Sequence, residues 1–324
     1  MAESSEWSFP EQLRPQPEEL SFNLQSALDS VVLLRADIPG DAFTAPILGT
    51  ERAGYGVVIG DDGLVLTIGY LITEADSLWL TANDGTIVRG HAVAYDFATG
   101  FGLAQPLGRL GTPWLARGKA AALSVGDPVT IVGHGGRAHA LKAQLIAKRE
   151  FAGYWEYLLD EALFTAPPHP QWGGAAMLDS AGRLVGIGSL FVEQAIGGER
   201  VQANMFVPTD LLEPILDDLL RFGRNPRPAR PWLGLYAAET DENLIVGGLA
   251  KGGPAENAGV LPGDVLLEVA GERASSLAEL FRKTWRLGSA GVEVPLTLAR
   301  NADVVRLKVR SADRGDYLRK PALQ

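Results

Sequence analysis

The 324-residue chain contains no cysteine. Disulfides, thiolate metal sites and a cysteine nucleophile are therefore excluded, and the absence suits a reducing cytosol and a periplasm equally. Long apolar runs are missing as well. No stretch approaches the ~20 consecutive apolar residues of a membrane span, so no transmembrane segment is expected. The opening Met1-Ala2-Glu3-Ser4-Ser5-Glu6 carries carboxylates where a secretory signal would carry Lys or Arg, and no apolar run follows. As given, the chain reads as cytoplasmic; a trimmed form of an exported protein would look the same and would be periplasmic. Basic residues are in the minority, 29 Lys and Arg against 39 Asp and Glu, for a net charge of −10. That balance disfavours nucleic acid and anionic membrane surfaces as partners. Histidine is scarce: His91, His134, His139 and His169 are all there are. None stands at metal-ligand spacing. An approach of His134 to His169 to hold a metal is weighed against plain loop histidines, and no metal or other cofactor is expected.

What is present is a soluble, core-forming composition, 46% hydrophobic and 21% charged, long enough for two domains. Residues 1–23 form an arm rich in Pro and Glu in which Trp7 and Phe9 stand out. It reads either as a mobile tail or as an arm whose aromatics pack on a neighbouring subunit. From residue 24 to 223 the texture is that of short strands, such as Val31–Leu34, Gly56–Ile59 and Leu64–Thr67. Turn signals at Asp61-Asp62-Gly63, Asn83-Asp84-Gly85 and Ser180-Ala181-Gly182 punctuate them. This argues for antiparallel sandwiches or barrels. A helix over Asp210–Phe222 closes the region, with Thr209 as N-cap and Gly223 as stop. Residues 224–231 hold three prolines and form a stiff linker. A unit over 232–314 follows, with strands around Trp232–Tyr236, Leu244–Leu249 and Val265–Val269, a helix over Leu277–Leu287, and a hairpin of Val292–Leu298 with Val304–Val309. In the third strand Val265, Leu267 and Val269 are expected to alternate into the core. Residues 315–324 form a tail. The glycine clusters at Gly133-His134-Gly135-Gly136 and Gly247-Gly248 lie outside any strand-to-helix unit and read as turns, not phosphate cradles.

The run KGGPAENAGVLPGDVLLEVAGE, from Lys251 to Glu272, closely resembles the "GSPAEKAGLQPGDVILEVNGK" of PDZ domains of the HtrA family. Upstream, Gly54–Thr67 is similar to the "GSGVIIDADGYILT" of HtrA protease domains. Asp84-Gly85 is similar to "DDG", Val125–Val129 to "VGDWV", Gly182–Ile187 to "GEVIGI", and Met205–Pro208 to "FAIP". The resemblance implies a mainly β chain: a trypsin-like double antiparallel β-barrel followed by a small α+β PDZ domain. It also implies that Trp232-Leu233-Gly234-Leu235 is the loop whose backbone N–H groups capture a peptide C-terminal carboxylate, the peptide adding as a strand. Packing alone is the competing reading of Trp232, Leu233 and above all Leu235.

The same resemblance locates the catalytic positions, and none of the catalytic residues is there. Where the family has His in "LTNNHVV" this chain has Tyr70. Where it has Asp in "DPRTDLALL" it has Gly100, with Asp96 matching an upstream structural position. The serine of "NPGNSGGPLV" falls on Gly173, or on Gly174 with a one-residue shift, and Ser180 is the nearest hydroxyl. A phenol with a pKa near ~10 is a poor base, and loss of one triad member typically costs ~10⁴-fold or more in rate. Trp172 is expected to crowd the oxyanion hole or the specificity pocket. The expectation is a catalytically inactive pseudoprotease that binds C-termini or unfolded segments through its PDZ groove. The resemblance further implies a homo-oligomer, a trimer with Trp7 and Phe9 as candidate anchors, and a regulatory subunit assembling with itself or with an active relative is the alternative. Residual or novel hydrolase activity is the third reading.

Overall fold

The computed structural model describes residues 7–196, 199–240 and 243–319. The chain divides into two compact units. One comprises residues up to Arg149 together with Glu161–Asn225; the other comprises Glu150–Asp160 together with Pro226–Arg319. The second unit is thus discontinuous in sequence, a feature absent from the linear reading with its boundary at 232.

The first unit is two closed six-stranded barrels. One is built from β1 (Val31–Asp37), β2 (Glu51–Val58), β3 (Val65–Ile68), β4 (Ser77–Thr81), β5 (Ile87–Tyr95) and β6 (Phe101–Pro106), in the order β1-β2-β3-β6-β5-β4. The other uses β7 (Pro128–Val132), β8 (Ala140–Gly153), β9 (Tyr157–Ala166), β10 (Ala176–Leu178), β11 (Leu184–Ile196) and β12 (Glu199–Pro208), ordered β10-β11-β12-β9-β8-β7. Closure removes the free edges that short strands otherwise expose. The turn signals work as read. At Asp62 and Asp84 a carboxylate accepts the N–H two residues on, and Gly63, Gly85 and Gly182 take positive φ. Two short helices, α1 (Leu24–Asp29) and α2 (Ala45–Leu48), decorate the first barrel.

The closing helix is shorter than its periodicity predicts. A 3-10 turn at Thr209–Leu211 is followed by α3 (Leu216–Phe222), because Pro214 lacks an N–H and cannot sit in a helix interior. Thr209 caps nothing; its hydroxyl donates to Leu184 O at 3.1 Å. Gly223 does end α3, at φ +68°.

The N-terminal arm is not a loose tail over its described residues. Phe9 is 9% exposed and donates its N–H to Ala138 O at 3.0 Å. Trp7 and Phe9 meet edge to face and both pack against the ring of His169, with Trp7 also on His139. Arg137 ties the arm down through Pro15 O and Gln16 Oε1, at 2.9 and 2.6 Å. Trp7 and Phe9, the candidate anchors on a neighbouring subunit, thus also pack within their own chain. Phe9→Ala is expected to cost about 3 kcal/mol, the range for truncating a buried aromatic, measurable as a shift of the urea midpoint.

The second unit is a five-stranded path, β13 (Leu235–Glu239), β14 (Leu244–Leu249), β15 (Val265–Val269), β17 (Glu293–Arg300) and β18 (Asp303–Arg310), with β16 (Glu272–Arg273) paired to β15. Helices α4 (Pro254–Asn257) and α5 (Leu277–Arg286) complete it. Trp232 stands outside β13 in an isolated bridge with Ala312. The alternation expected in β15 is displaced. Leu266 and Val269 enter the core, 2% and 0% exposed, while Val265 and Leu267 stay half-buried. The register against β17 slips between Leu266 and Glu268, and a one-residue slip exchanges the faces.

Candidate functional site

Three loops of the first unit bring Tyr70, Gly100 and Gly173 close to one another. Tyr70 sits in the 3-10 turn Gly69–Leu71 that follows β3. Gly100, at φ +82°, precedes β6, and its carbonyl accepts the Gly69 N–H at 2.7 Å. Gly173 lies in the loop before β10, where a side chain would begin 3.0 Å from the Tyr70 hydroxyl. The neighbouring Gly174 offers no such room. Its φ is +79°, and a Cβ there would lie 1.8 Å from Tyr55 O. Of the two positions open to a nucleophile in the sequence, only 173 can carry a side chain. Asp96 accepts Thr99 N–H and Oγ1, both at 2.8 Å, and shapes the turn.

The cleft is lined by hydrogen-bonding groups, two phenols and the Glu51 carboxylate among them. Burial raises the Tyr70 phenol above its ordinary range, so it stays protonated, and it donates to Ser189 O at 2.9 Å. The Tyr55 hydroxyl, likewise raised by burial, donates to Gln171 Oε1. A cavity of about 460 Å³ opens here, bordered by Leu33, Leu48, Tyr55, Tyr70, Leu71 and Trp172. Trp172 turns its ring toward Phe191, centroids 5.6 Å apart.

Behind the cleft lies a polar network that the sequence did not announce. Arg52, 6% exposed, donates to Tyr70 O at 2.7 Å, Thr73 O at 3.1 Å, Gly49 O at 3.2 Å and Thr44 Oγ1 at 2.8 Å. Glu74 accepts from Phe43 N, Thr44 N and Thr44 Oγ1 at 2.5–3.0 Å. The guanidinium thus pins the backbone of the turn that presents Tyr70.

The histidines do other work. His169 is fully buried; its Nδ1 accepts the Gln171 N–H at 3.1 Å, which leaves Nε2 to donate to His139 O at 2.9 Å. Burial pulls it down to about 4, so it is neutral at ordinary pH. Asn204 clasps its backbone through both amide atoms. Burial lowers His134 also. Among the described residues no group of three or more His, Asp or Glu side chains is arranged to hold a metal.

In the second unit, the loop Trp232-Leu233-Gly234-Leu235 buries its side chains and turns its donors outward. Leu233 and Leu235 lie in the core, 2% and 1% exposed. The carbonyls of Leu233 and Gly234 accept from Ala255 and Ala250, both at 2.8 Å. Gly234 takes φ +71°, the left-handed conformation that lets successive N–H groups converge. They converge on the Glu156 carboxylate: Leu233 N–H reaches both oxygens at 3.1 Å, Gly234 N–H reaches Oε1 at 2.7 Å, and Leu235 N–H reaches Oε1 at 3.3 Å. Glu156 belongs to the turn between β8 and β9 and has φ +62°. No motif marks it; the only local signal is a charge set among Tyr154, Trp155 and Tyr157.

Comparison with known proteins agrees with this domain content. A family profile described as a trypsin-like peptidase domain matches residues 54–187, and one described as a PDZ domain matches residues 231–310. Serine endoprotease DegS of Haemophilus influenzae is 24% identical over 246 residues, 72% of this chain and 70% of its own length. Protease Do-like 1, chloroplastic, of Arabidopsis thaliana is 28% identical over 269 residues, 75% of this chain and 60% of its own. The "Probable periplasmic serine endoprotease DegP-like" of Halomonas elongata is 24% identical, and this chain spans 56% of its length. Among solved structures, the HtrA-type protease AlgW with a tripeptide shares the fold at a TM-score of 0.51 and 20% identity, over 93% of this chain and 98% of that one. The chain thus has a stretch that matches a trypsin-like peptidase domain followed by one that matches a PDZ domain, and over most of its length it is similar to serine endoproteases of the DegS and DegP-like kind.

Proposed function

We propose that this chain is a pseudoprotease: a peptidase fold without peptidase chemistry, whose working site is the carboxylate loop of its PDZ domain. The observation that carries the first half is the Tyr70–Gly173 pair. Acyl transfer needs a hydroxyl at the nucleophile position and a base that can take its proton. At 173 there is no side chain, and the group facing it is a protonated phenol whose hydrogen is spent on Ser189 O. Gly100 supplies no carboxylate to orient a base. The second half rests on three backbone donors converging on a carboxylate, the mode by which a peptide C-terminus is captured. The relatives' names make the periplasm the compartment this reading favours.

The test uses the full chain. Incubation with a fluorophosphonate probe and with unfolded casein is expected to give neither a labelled serine nor cleavage, at least ~10⁴-fold below an active relative. Stoichiometric labelling, or casein cleavage that survives Tyr70→Ala, would require a catalytic centre elsewhere. In parallel, arrayed heptapeptides with free C-terminal carboxylates should bind and their amidated twins should not.

A further inference from the structure

The carboxylate loop already has an acceptor, and it comes from this chain. We propose that Glu156 is the resident ligand of the loop, so that the chain closes its own peptide groove and a free C-terminus binds only by displacing the 153–157 turn. The proposal rests on the peptide-binding reading above and names how that site is regulated.

Leu233, Gly234 and Leu235 offer the N–H groups a terminal carboxylate would need, and all three are engaged by Glu156. Two carboxyl groups cannot occupy the loop together, because each backbone N–H has a single hydrogen to donate and Glu156 already takes all three. The turn is built to deliver that one side chain. A left-handed φ at a non-glycine residue is rare and persists only where its surroundings hold it. Here Arg314 Nη1 donates to Trp155 O at 3.1 Å, and the Trp155 ring stacks on Tyr157. Leu158 is buried in the core of the second unit, and Arg282 clasps Glu150 and Asp160 at 2.5 and 2.6 Å. Glycine or asparagine would make such a turn with less strain; what glutamate adds is the carboxylate.

The charge state of Glu156 gives the closure a pH dependence. The charged and titratable groups that act on it are the Arg314 guanidinium and the Tyr236 phenol. Burial pushes Glu156 up to about 7 from its ordinary 4.5, against the opposing pull of the three N–H groups and Arg314. Burial also raises Tyr236, which stays neutral. Between those two values the docked carboxyl holds a proton that the released one does not. Docking is therefore strongest at low pH and weakens as pH rises toward 7. A peptide α-carboxyl, with its pKa near ~3.5, is ionised throughout. Displacement becomes easier from pH 5 to pH 8.

Two readouts on the full chain test this. The backbone amide resonances of Leu233, Gly234 and Leu235 should titrate together in the wild type with a midpoint near 7, and should be flat in Glu156→Gln and in the strain-relieving Glu156→Gly. Free-carboxyl heptapeptide arrays at pH 6 should bind Glu156→Gly about tenfold or more tighter than wild type, because the wild type is binding-competent only in its open fraction, whereas Glu156→Gln, a neutral isostere of the protonated docked group, should stay closed at every pH. The gap between Glu156→Gly and wild type should narrow toward pH 8. Amides that neither titrate in the wild type nor move in Glu156→Gly would overturn the proposal. Equal peptide affinity of all three proteins would overturn it too, leaving the peptide-binding reading intact. An intact titration with no peptide bound by any of the three would remove the peptide-binding reading, and displacement with it.

Discussion

Gly174→Ala is expected to lower the free energy of unfolding by about 4 kcal/mol, whereas Gly173→Ala, one residue away, is expected to cost less than about 1 kcal/mol. The difference follows from the two backbones. At 174 the methyl group meets Tyr55 O at 1.8 Å, and the residue is held at φ +79°. The peptide cannot rotate out of the way, because the Gly174 N–H donates to Gly188 O at 2.8 Å. At 173 the methyl group meets only the Tyr70 hydroxyl at 3.0 Å and Leu71 at 3.9 Å. Urea denaturation of the two variants makes the comparison; equal costs would show that the loop rearranges freely. The same room means that Gly173→Ser should fold.

Arg52→Met is expected to have a comparable effect, about 3–5 kcal/mol, the range for removing one side of a buried, hydrogen-bonded charge network. The side chain is nearly inaccessible and serves four acceptors on two stretches of chain, 44–49 and 70–73. Its removal strands the carbonyls of Tyr70 and Thr73 and leaves Glu74 without its nearest compensating charge. Arg52→Lys recovers little, since a single ammonium cannot span the acceptors that the planar guanidinium reaches. Calorimetry of the three proteins is the measurement. Methionine and lysine variants as stable as the wild type would reduce the network to ornament.

What could be read in advance and what could not divide along physical lines. The short strands and their turns announce themselves locally, because turn glycines and β-branched apolar runs are short-range patterns; the two barrels, the PDZ domain and the Gly234 loop came through the resemblance. The grouping of Tyr70, Gly100 and Gly173 came through resemblance, and the chain does bring them together. Arg52 was illegible: an arginine two residues before Gly54 in a strand reads as solvent-facing, and its burial depends on a turn some twenty residues on. Glu156 was illegible for the same reason, at a separation of 77 residues from Leu233. In β15 the alternation failed because a bulge is decided by the partner strand. In the closing helix Pro214 was present in the sequence and outweighs the apolar periodicity around it. Phe9, in polar surroundings, gave no sign that His139 and His169 would cover it.

The discontinuity of the second unit has a consequence for how the molecule is made. Leu158 and Ala152 pack with Leu233, Leu266 and Phe281, so part of this small core is encoded far ahead of the rest. At 5–20 residues per second, residues near 156 leave the ribosome roughly 4–15 s before residues near 233. For that interval the turn carries an unsheltered leucine and a carboxylate without its three donors. A fragment that starts at 226 would be born with the complementary defect, its groove open and the place of Leu158 empty. The unit that closes last in synthesis is also the one whose own earlier segment is waiting to occupy it.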